Sequence, residues 1–464
     1  MSKRFRECSL DQPFLLPPSL QDWLPEDHLA RFMAEVVDTL DLSEIYGQYE
    51  RKDGRGLAAY HPLMLTRVLL YGYATGRASS RQSEQATHDD LAFRYLAADQ
   101  HPDHDTIAQF RQQHLEPLAR LFVQALRLCQ RAGLVKLGNV AIDGTKIRAN
   151  ASARHSLRYQ QLKEEEQRWQ KVVTEMLERA ARVDEEEDQR YGKGRKASAV
   201  PPELASAQAR LQRLRQAQQE LEQEARQEAE EAERAHASQV RPPGRPSQEG
   251  APAPLDQVRR WALRKRWQRA KQRATEPQRH YNFTDPASRM MWDNGVRRPV
   301  QGYNAQLGVD AETQVILAAD VTQQVTDQRQ LLPMVDQVRD ATGSDPACVT
   351  ADAGYWHTAQ LVDERLQGIH LLVAPERSRP TTQRSRVSAL AVAMRERLRA
   401  PVNRKLYAMR QASVEPVLGQ IKELRRFRRF QLRGLEKVRA EWKLICLTHN
   451  LLKLFRCSLA AATA

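Results

Sequence analysis

From Asp22 to Ala132, apolar residues recur every three or four positions. Leu29, Phe32, Met33, Val36, Val37 and Leu40 form one set, Leu63, Leu65, Val68, Leu69 and Leu70 a second, and Leu115, Leu118, Leu121, Phe122 and Leu126 a third. That spacing puts each set on one helix face, so the first part of the chain reads as a helical domain. Within it, Pro102–His114 opens like a capped helix, with Asp105 or Thr106 as the cap and Arg111 projecting outward. These residues suit a helix-turn-helix reader and a plain packing domain equally, because none of them specifies a base contact.

The period then changes. Val140 and Ile142 alternate with small residues over Asn139–Ile147, as in a strand, with Asp143-Gly144 ending it. Leu157–Val183 is rich in Glu, Gln and Arg, and carries Leu162, Trp169, Val172, Met176 and Val183 about one or two turns apart. Over Glu203–Ala235, Leu204, Leu211, Leu214 and Leu221 follow a heptad-like rhythm. Tyr191–Pro202 between them is a turn and breaker segment, so the two stretches predict an antiparallel, coiled-coil-like helical hairpin. Gln239–Pro254, rich in Pro, Gly and Ser, predicts a flexible linker, and Trp261–Lys271 a basic helix.

After this insertion the β pattern resumes. Pro299–Val309 and Thr313–Val321 predict a hairpin about Asp310-Ala-Glu312. A helix follows over Gln330–Arg339, a strand over Ala347–Thr350, a helix over Thr358–Leu366 and a strand over Ile369–Ala374. Asn403–Phe427 and Leu435–Phe455 read as helices. Without the insertion the order is three strands, then helix, strand, helix, strand, helix. That is the order of an α/β, ribonuclease-H-like fold, in which the ends of the first and fourth strands lie side by side. The expected domains are a helical N-terminal domain (1–137), the first part of the core (138–152), a charged helical insertion with its linker (153–280), and the rest of the core with basic C-terminal helices (281–464).

Charge sharpens this picture. The formal net charge is +14 over 464 residues. From Glu376 onward there are 21 Lys and Arg against 6 acids, which accounts for the whole surplus. Such a charge suits a polyanionic partner such as nucleic acid, or an anionic membrane surface. Cys8, Cys129, Cys348, Cys446 and Cys457 are far apart and form no zinc-ligand spacing, which fits a reducing cytoplasm. No apolar run approaches a membrane span, and the N-terminus lacks the apolar core of a signal peptide.

Three acids stand in settings that suit hard cations. Asp143 and Asp352 follow β-like runs, and Glu415 lies in a helix-like run with Lys422 two turns on and Tyr407 and Arg410 before it. Three converging carboxylates bind divalent cations through oxygen, and such ions activate water or a hydroxyl against a phosphodiester. Taken singly, each has a plainer reading: Asp143-Gly144 as a turn, Glu415 and Lys422 as a charge pair on a solvated face. The segment Lys422–Arg433 interleaves Phe427 and Phe430 with arginines, so that Arg425, Arg428 and Arg429 either grip phosphates or stand solvated at an amphipathic helix end.

Asp143-Gly-Thr-Lys-Ile147, Gln301-Gly-Tyr-Asn-Ala-Gln306, Ala351-Asp-Ala-Gly-Tyr355 and Val414-Glu-Pro-Val-Leu-Gly-Gln-Ile-Lys422 resemble bacterial insertion-sequence transposases of the DDE type, in the branch with a Tyr-Arg-Glu-Lys signature. Tyr60–Leu65, Leu69–Thr75, Pro102–Ile107, Asn282–Pro286 and Arg433–Val438 resemble the same branch. Here Arg410 and Glu415 are separated by four residues, where the signature is often written with three. The resemblance implies that Asp143, Asp352 and Glu415 hold two Mg2+ ions, replaceable by Mn2+. It implies that Tyr407, Arg410 and Lys422 contact phosphate, and that the protein works as a homodimer on the terminal repeats and target DNA, in the cytoplasm at the nucleoid. Three other readings keep part of this pattern: a DNA-binding protein descended from a transposase, a nuclease without strand transfer, and a helical scaffold built on the heptad segment.

Overall fold

The computed structural model describes residues 19–50, 59–191, 202–237, 279–293, 295–375 and 389–463. The breaker at 192–201, the linker at 239–254 and the basic helix at 261–271 lie outside the described residues. The chain clusters into two units, Met1–Asn150 with Met291–Ala464, and Ala151–Met290.

The first unit opens with helices α1 (Leu29–Thr39), α2 (Ser43–Glu50), α3 (Pro62–Thr75), α4 (Ser80–Asp89), α5 (Leu91–Leu96), α6 (His104–Gln113) and α7 (Leu115–Arg131). Most residues of the predicted apolar faces are buried, while Leu29, Phe32 and Leu63 are half-buried. α7 buries Leu115, Leu118, Leu121, Phe122 and Leu126, each adding about 1.5–3 kcal/mol over exposure. Pro62 suits the first turn of α3, where its missing N–H has no helical partner. Gly76 ends α3 in the left-handed region (φ +81°), and a Cβ there would lie 2.8 Å from the Arg425 carbonyl oxygen, so both backbone sign and close approach demand glycine. The α6 cap is Asp103, which accepts from Thr106 N at 2.6 Å, instead of Asp105 or Thr106. Arg111 does not project outward: it is buried and donates to the Ala78 carbonyl at 3.1 Å and Gln431 Oε1 at 3.4 Å. Periodicity placed the helix, but the neighbours of Arg111 come from segments far away in sequence.

The same unit contains the sheet. Its strands are β1 (Val140–Arg148), then, beyond β2 (Ser156–Arg158) and β3 (His280–Asn282) of the second unit, β4 (Arg289–Asp293, which begins two residues before the first unit resumes at Met291), β5 (Arg298–Asp310), β6 (Ile316–Thr322), β7 (Cys348–Ala351) and β8 (His370–Val373). The path runs β4-β5-β1-β7-β8, with β6 also on β5. β1 and β5 are antiparallel from Val140↔Asp310 to Arg148↔Gly302, and β1 and β7 are parallel from Val140↔Val349 to Ile142↔Ala351. The expected neighbourhood of the first and fourth core strands is therefore found. Asp143-Gly144 does not end β1, which continues to Arg148 because β5 pairs with it throughout; only the parallel partner stops there.

Helices cover the sheet. α10 (Leu331–Thr342) buries Leu331, Met334, Val335 and Val338 in a core shared with Ile142, Leu317, Val349 and Leu371. The helix expected at Thr358–Leu366 is broken into α11 (Thr358–Leu361) and a short 3-10 turn (Glu364–Leu366), which Asp363 caps by accepting from Arg365 N at 3.1 Å. α12 (Ala389–Arg399) and α13 (Pro401–Gly419) follow. The predicted helix to Phe427 leaves α geometry at Gly419, continues as a π-helical turn (Gln420–Leu424), and then opens so that Phe427 and Phe430 are buried.

The C-terminal helix α14 (Leu435–Thr463) packs on α7, α3 and β6. Its buried polar side chains bond to the rest of the unit. Asn450 exchanges two 2.8 Å bonds with the Ile316 backbone, and Trp442 Nε1 donates to the Gln306 carbonyl at 3.0 Å. Glu441 accepts from the backbone of Gln431 and Leu432. Burial holds His449 down at about 3, so it is neutral and bonded to the Gln314 carbonyl.

The second unit contains two long helices, α8 (Tyr159–Tyr191) and α9 (Pro202–Ala237), and the short antiparallel pair β2 (Ser156–Arg158) and β3 (His280–Asn282). The helices run antiparallel: Tyr159 meets Glu222, while Val173 packs with Leu204, Ala207 and Leu211. Leu162, Leu214 and Leu221 form a second apolar cluster with Tyr159 and Tyr281. No helix among the described residues is long and apolar enough to cross a membrane.

Trp442 is fully buried and its Nε1 holds β5 from behind. Trp442→Ala is expected to cost about 3–5 kcal/mol of stability. A denaturant titration showing a loss below about 1 kcal/mol would place this helix outside the cooperative core.

Candidate active site

The site is built where two strand ends meet. Asp143 lies one residue past the last parallel pair, Ile142↔Ala351, and Asp352 occupies the equivalent position after β7. The carboxylates are thus neighbours because the register makes them so. Asp352 caps the 3-10 turn Ala353–Tyr355, with Oδ1 accepting from Gly354 N at 2.9 Å. Asp143 Oδ1 accepts from Gly144 N at 2.8 Å, and its Oδ2 accepts from Arg410 Nη1 at 2.9 Å. That ion pair is largely buried, with 18% of the Asp143 side chain and 11% of the Arg410 side chain exposed.

Burial raises the Asp143 carboxyl to about 6, against the pull of Arg410; Asp352 and Asp327 push it further up. The guanidinium of Arg410 also stands 5.8 Å from the ring centroid of Tyr407, whose hydroxyl burial holds above its ordinary value. Lys422, in the π-helical turn, donates to the Lys146 carbonyl at 3.1 Å, and burial lowers both lysines.

Glu415 stands apart. It is exposed on α13, while Ser413, Val414 and Val417 face inward, and it makes no hydrogen bond or ion pair among the described residues. No three His, Cys, Asp or Glu side chains among the described residues are grouped closely enough to form a ready metal site. Arg410 and Lys146 instead supply the positive charge that the acids need. The donor set still fits a hard divalent ion. It consists of carboxylate oxygens, the donors Mg2+ and Mn2+ take. The cradle is also open: a Cβ on Gly354 would stand 3.0 Å from Asp352 Oδ1 and 3.5 Å from Asp327 Oδ2.

Sequence reasoning passed over Asp327, Lys146, Asn304 and Gln306. Asp327 lies in the turn before α10 and accepts from Asn304 Nδ2 at 2.6 Å and Gln306 Nε2 at 2.8 Å, with Lys146 Nζ at 3.5 Å. Tyr355, fully buried, donates to Gln306 Oε1. A signal for part of this existed: Asn304 and Gln306 are two apart on a strand, hence on one face. Nothing local marks Asp327.

The basic segment divides. Arg428 and Arg429 are exposed, Arg428 paired with Glu423. Arg425 is buried, and its Nη1 donates to Thr448 Oγ1 at 2.8 Å and the Ile445 carbonyl at 3.1 Å, so this guanidinium ties the segment to α14 and does not face solvent. A cavity of about 500 Å³ opens between the end of α3 and this segment, lined by Thr75, Arg77, Gln82, Arg425, Arg426 and Arg429 among others.

Two family models match the chain. The transposase domain (DUF772) matches residues 18–113, and the transposase DDE domain matches residues 264–451. These define the class, a transposase. The chain belongs to the DDE transposases of insertion sequences. The DDE match includes Asp352 and Glu415 and begins after Asp143, which β1 brings to Asp352. No curated protein and no solved structure matches the chain.

The raised carboxyl has a consequence for stability. Asp143 ordinarily titrates near 3.8 and here near 6. The folded state therefore binds the proton more tightly than the unfolded one, and the stability this adds is present below about pH 4 and lost as pH rises through about 6. Asp143→Asn removes the titration, so the variant's melting temperature should climb relative to wild type between those limits. A difference that calorimetry finds flat across that range excludes a titration of Asp143 near 6.

Proposed function

We propose that the chain binds the ends of an insertion sequence and carries out divalent-metal-dependent strand cleavage and strand transfer, with Asp143, Asp352 and Glu415 as the catalytic acids. The observation that carries this reading is the register of β1 and β7, which sets two acids side by side at one sheet end in a chain matched by the transposase DDE domain. The strand order, with parallel β1, β7 and β8 and the antiparallel β5–β6 hairpin, supports a ribonuclease-H-like core. α8 and α9, packed along one another and placed in the chain between β2 and β3, support an inserted helical hairpin and the reading of domain limits near 137, 152 and 280.

Bound Mg2+, or Mn2+ in its place, would lower the pKa of a water or 3'-hydroxyl and offset charge on the leaving oxygen. Asp143 and Asp352 would hold it, with Glu415 as the third ligand. The chain's own residues do the rest. Gly144 and Gly354 fix the carboxylates through their N–H groups. Arg410 neutralises Asp143 until a phosphate competes for the guanidinium, to which two-toothed phosphate contact is well suited. Tyr407 and Lys422 flank it as further phosphate partners, and Arg428 and Arg429 bind the backbone electrostatically. Arg425 holds that segment in place from within. Joining two element ends implies a homodimer on DNA, acting at the nucleoid.

Asp143→Asn, Asp352→Asn and Glu415→Gln are each expected to abolish nicking and joining of a labelled element-end duplex in Mg2+ or Mn2+, while gel-shift affinity persists. Normal cleavage by any of the three removes that residue from the site. If all proteins bind and none, wild type included, makes products, the chain is a DNA-binding descendant of a transposase. Products that are cut but never joined to a second DNA indicate a nuclease. The double variant Arg428→Ala/Arg429→Ala should reduce the slope of log affinity against log salt by about 0.9 for each phosphate no longer neutralised; an unchanged slope removes both from the DNA surface.

A further inference from the structure

The cavity between the end of α3 and the segment 424–431 has no part in the reading above. Both of its walls belong to the first unit. Arg77 and Gln82 line it from the stretch matched by the DUF772 domain, and Arg425, Arg426, Arg429 and Gln431 line it from the stretch matched by the DDE domain. No acid is among the described residues that line it. Arg77 pairs with Asp90 at 2.8 Å, but Arg426 and Arg429 are exposed and pair with no carboxylate among the described residues. Gln431 accepts from Arg111 through Oε1, which leaves its amide nitrogen as a donor.

Arg425 adds a buried charge without a counter-charge. It is 6% exposed, and among the described residues its Nε and Nη2 make no hydrogen bond and no carboxylate pairs with it. Nη1 is bonded to Thr448 and the Ile445 carbonyl, and the guanidinium carbon stands 5.6 Å from the centroid of the Phe427 ring. A cation taken out of water in this way is costly, and low-dielectric walls focus its field on the adjoining concave surface. An anion in the cavity would supply the missing charge. Arginine forks match phosphate oxygens two at a time, and a volume of about 500 Å³ exceeds what a bare ion needs and suits a nucleotide unit. We propose that this cavity is a phosphate-binding site, which holds one phosphate group between the N-terminal helices and the segment after the π-helical turn. Attributing that phosphate to a DNA strand rests on the reading above; the recognition of phosphate does not.

The test is arginine footprinting of the full-length chain. Phenylglyoxal labelling is read peptide by peptide by mass spectrometry, for the protein alone and with a short DNA duplex, thymidine monophosphate or inorganic phosphate. Arg77, Arg426 and Arg429 are expected to lose labelling together. Whichever protects at the lower phosphate concentration, the duplex or the small phosphates, identifies the source. Gln82 is exposed on α4, so Gln82→Trp fills the cavity without changing charge or core. It is expected to abolish the shared protection and to weaken binding of the protecting probe by about tenfold or more, the scale of lost hydrogen bonds to a charged group. Arg426→Lys keeps the charge but loses the fork, and should weaken binding in the same direction. Equal labelling with and without every probe, or protection that survives Gln82→Trp, would overturn the proposal. Protection that Gln82→Trp removes, in a chain that neither cuts nor joins element ends, would keep this inference and remove the transposition reading instead.

Discussion

Acidic side chains gathered at a sheet end repel one another, and in a largely dehydrated setting that repulsion is costly. The Asp143–Arg410 pair and the Lys146–Asp327 pair answer it with two positive charges drawn from separate elements. Much of the surrounding architecture can be read as a consequence. α13 must lie against β1 for Arg410 to reach Asp143. β5 must run alongside β1 as far as Arg148 for Asn304 and Gln306 to sit opposite Lys146 and Gly144. Among the described residues the acids are thus balanced by side chains of the chain itself.

Behind the sheet, α14 gives the site its rigidity. Trp442 takes the backbone oxygen of Gln306 while the Gln306 side chain faces Asp327, so one residue couples the buried helix to the acids. Glu441 and Arg425 do the same for the basic segment, each buried and bonded to backbone. Buried polar groups of this kind are tolerated only when bonded, and once bonded they specify one arrangement. The division between buried Arg425 and exposed Arg428 and Arg429 arises because the chain leaves helix geometry after Leu424.

Sequence periodicity located the N-terminal helices, the β5–β6 hairpin and the two long helices because each is a local pattern with one buried face. It failed where distant partners decide. Arg111 reads as an outward residue of α6, yet the carbonyl of Ala78 and the side chain of Gln431 make burial acceptable there. Asp143-Gly144 reads as a strand end, yet β5 extends the strand past it. The helix expected through Leu366 breaks because Asp363 caps a new turn with its own side chain.

The sequence by itself determined the chemistry on offer: carboxylates in motifs resembling a transposase, a basic C-terminal stretch, and helical and β segments in a recognisable order. Each depends on residue type and local spacing, which the chain carries wherever it folds. Only the tertiary structure decided which acids meet. The parallel register of β1 and β7 joins Asp143 to Asp352, the turn before α10 brings in Asp327, and the orientation of α13 leaves Glu415 exposed while turning Arg410 inward. Those are relations between segments up to hundreds of residues apart, set by strand pairing and by the need to neutralise buried charge.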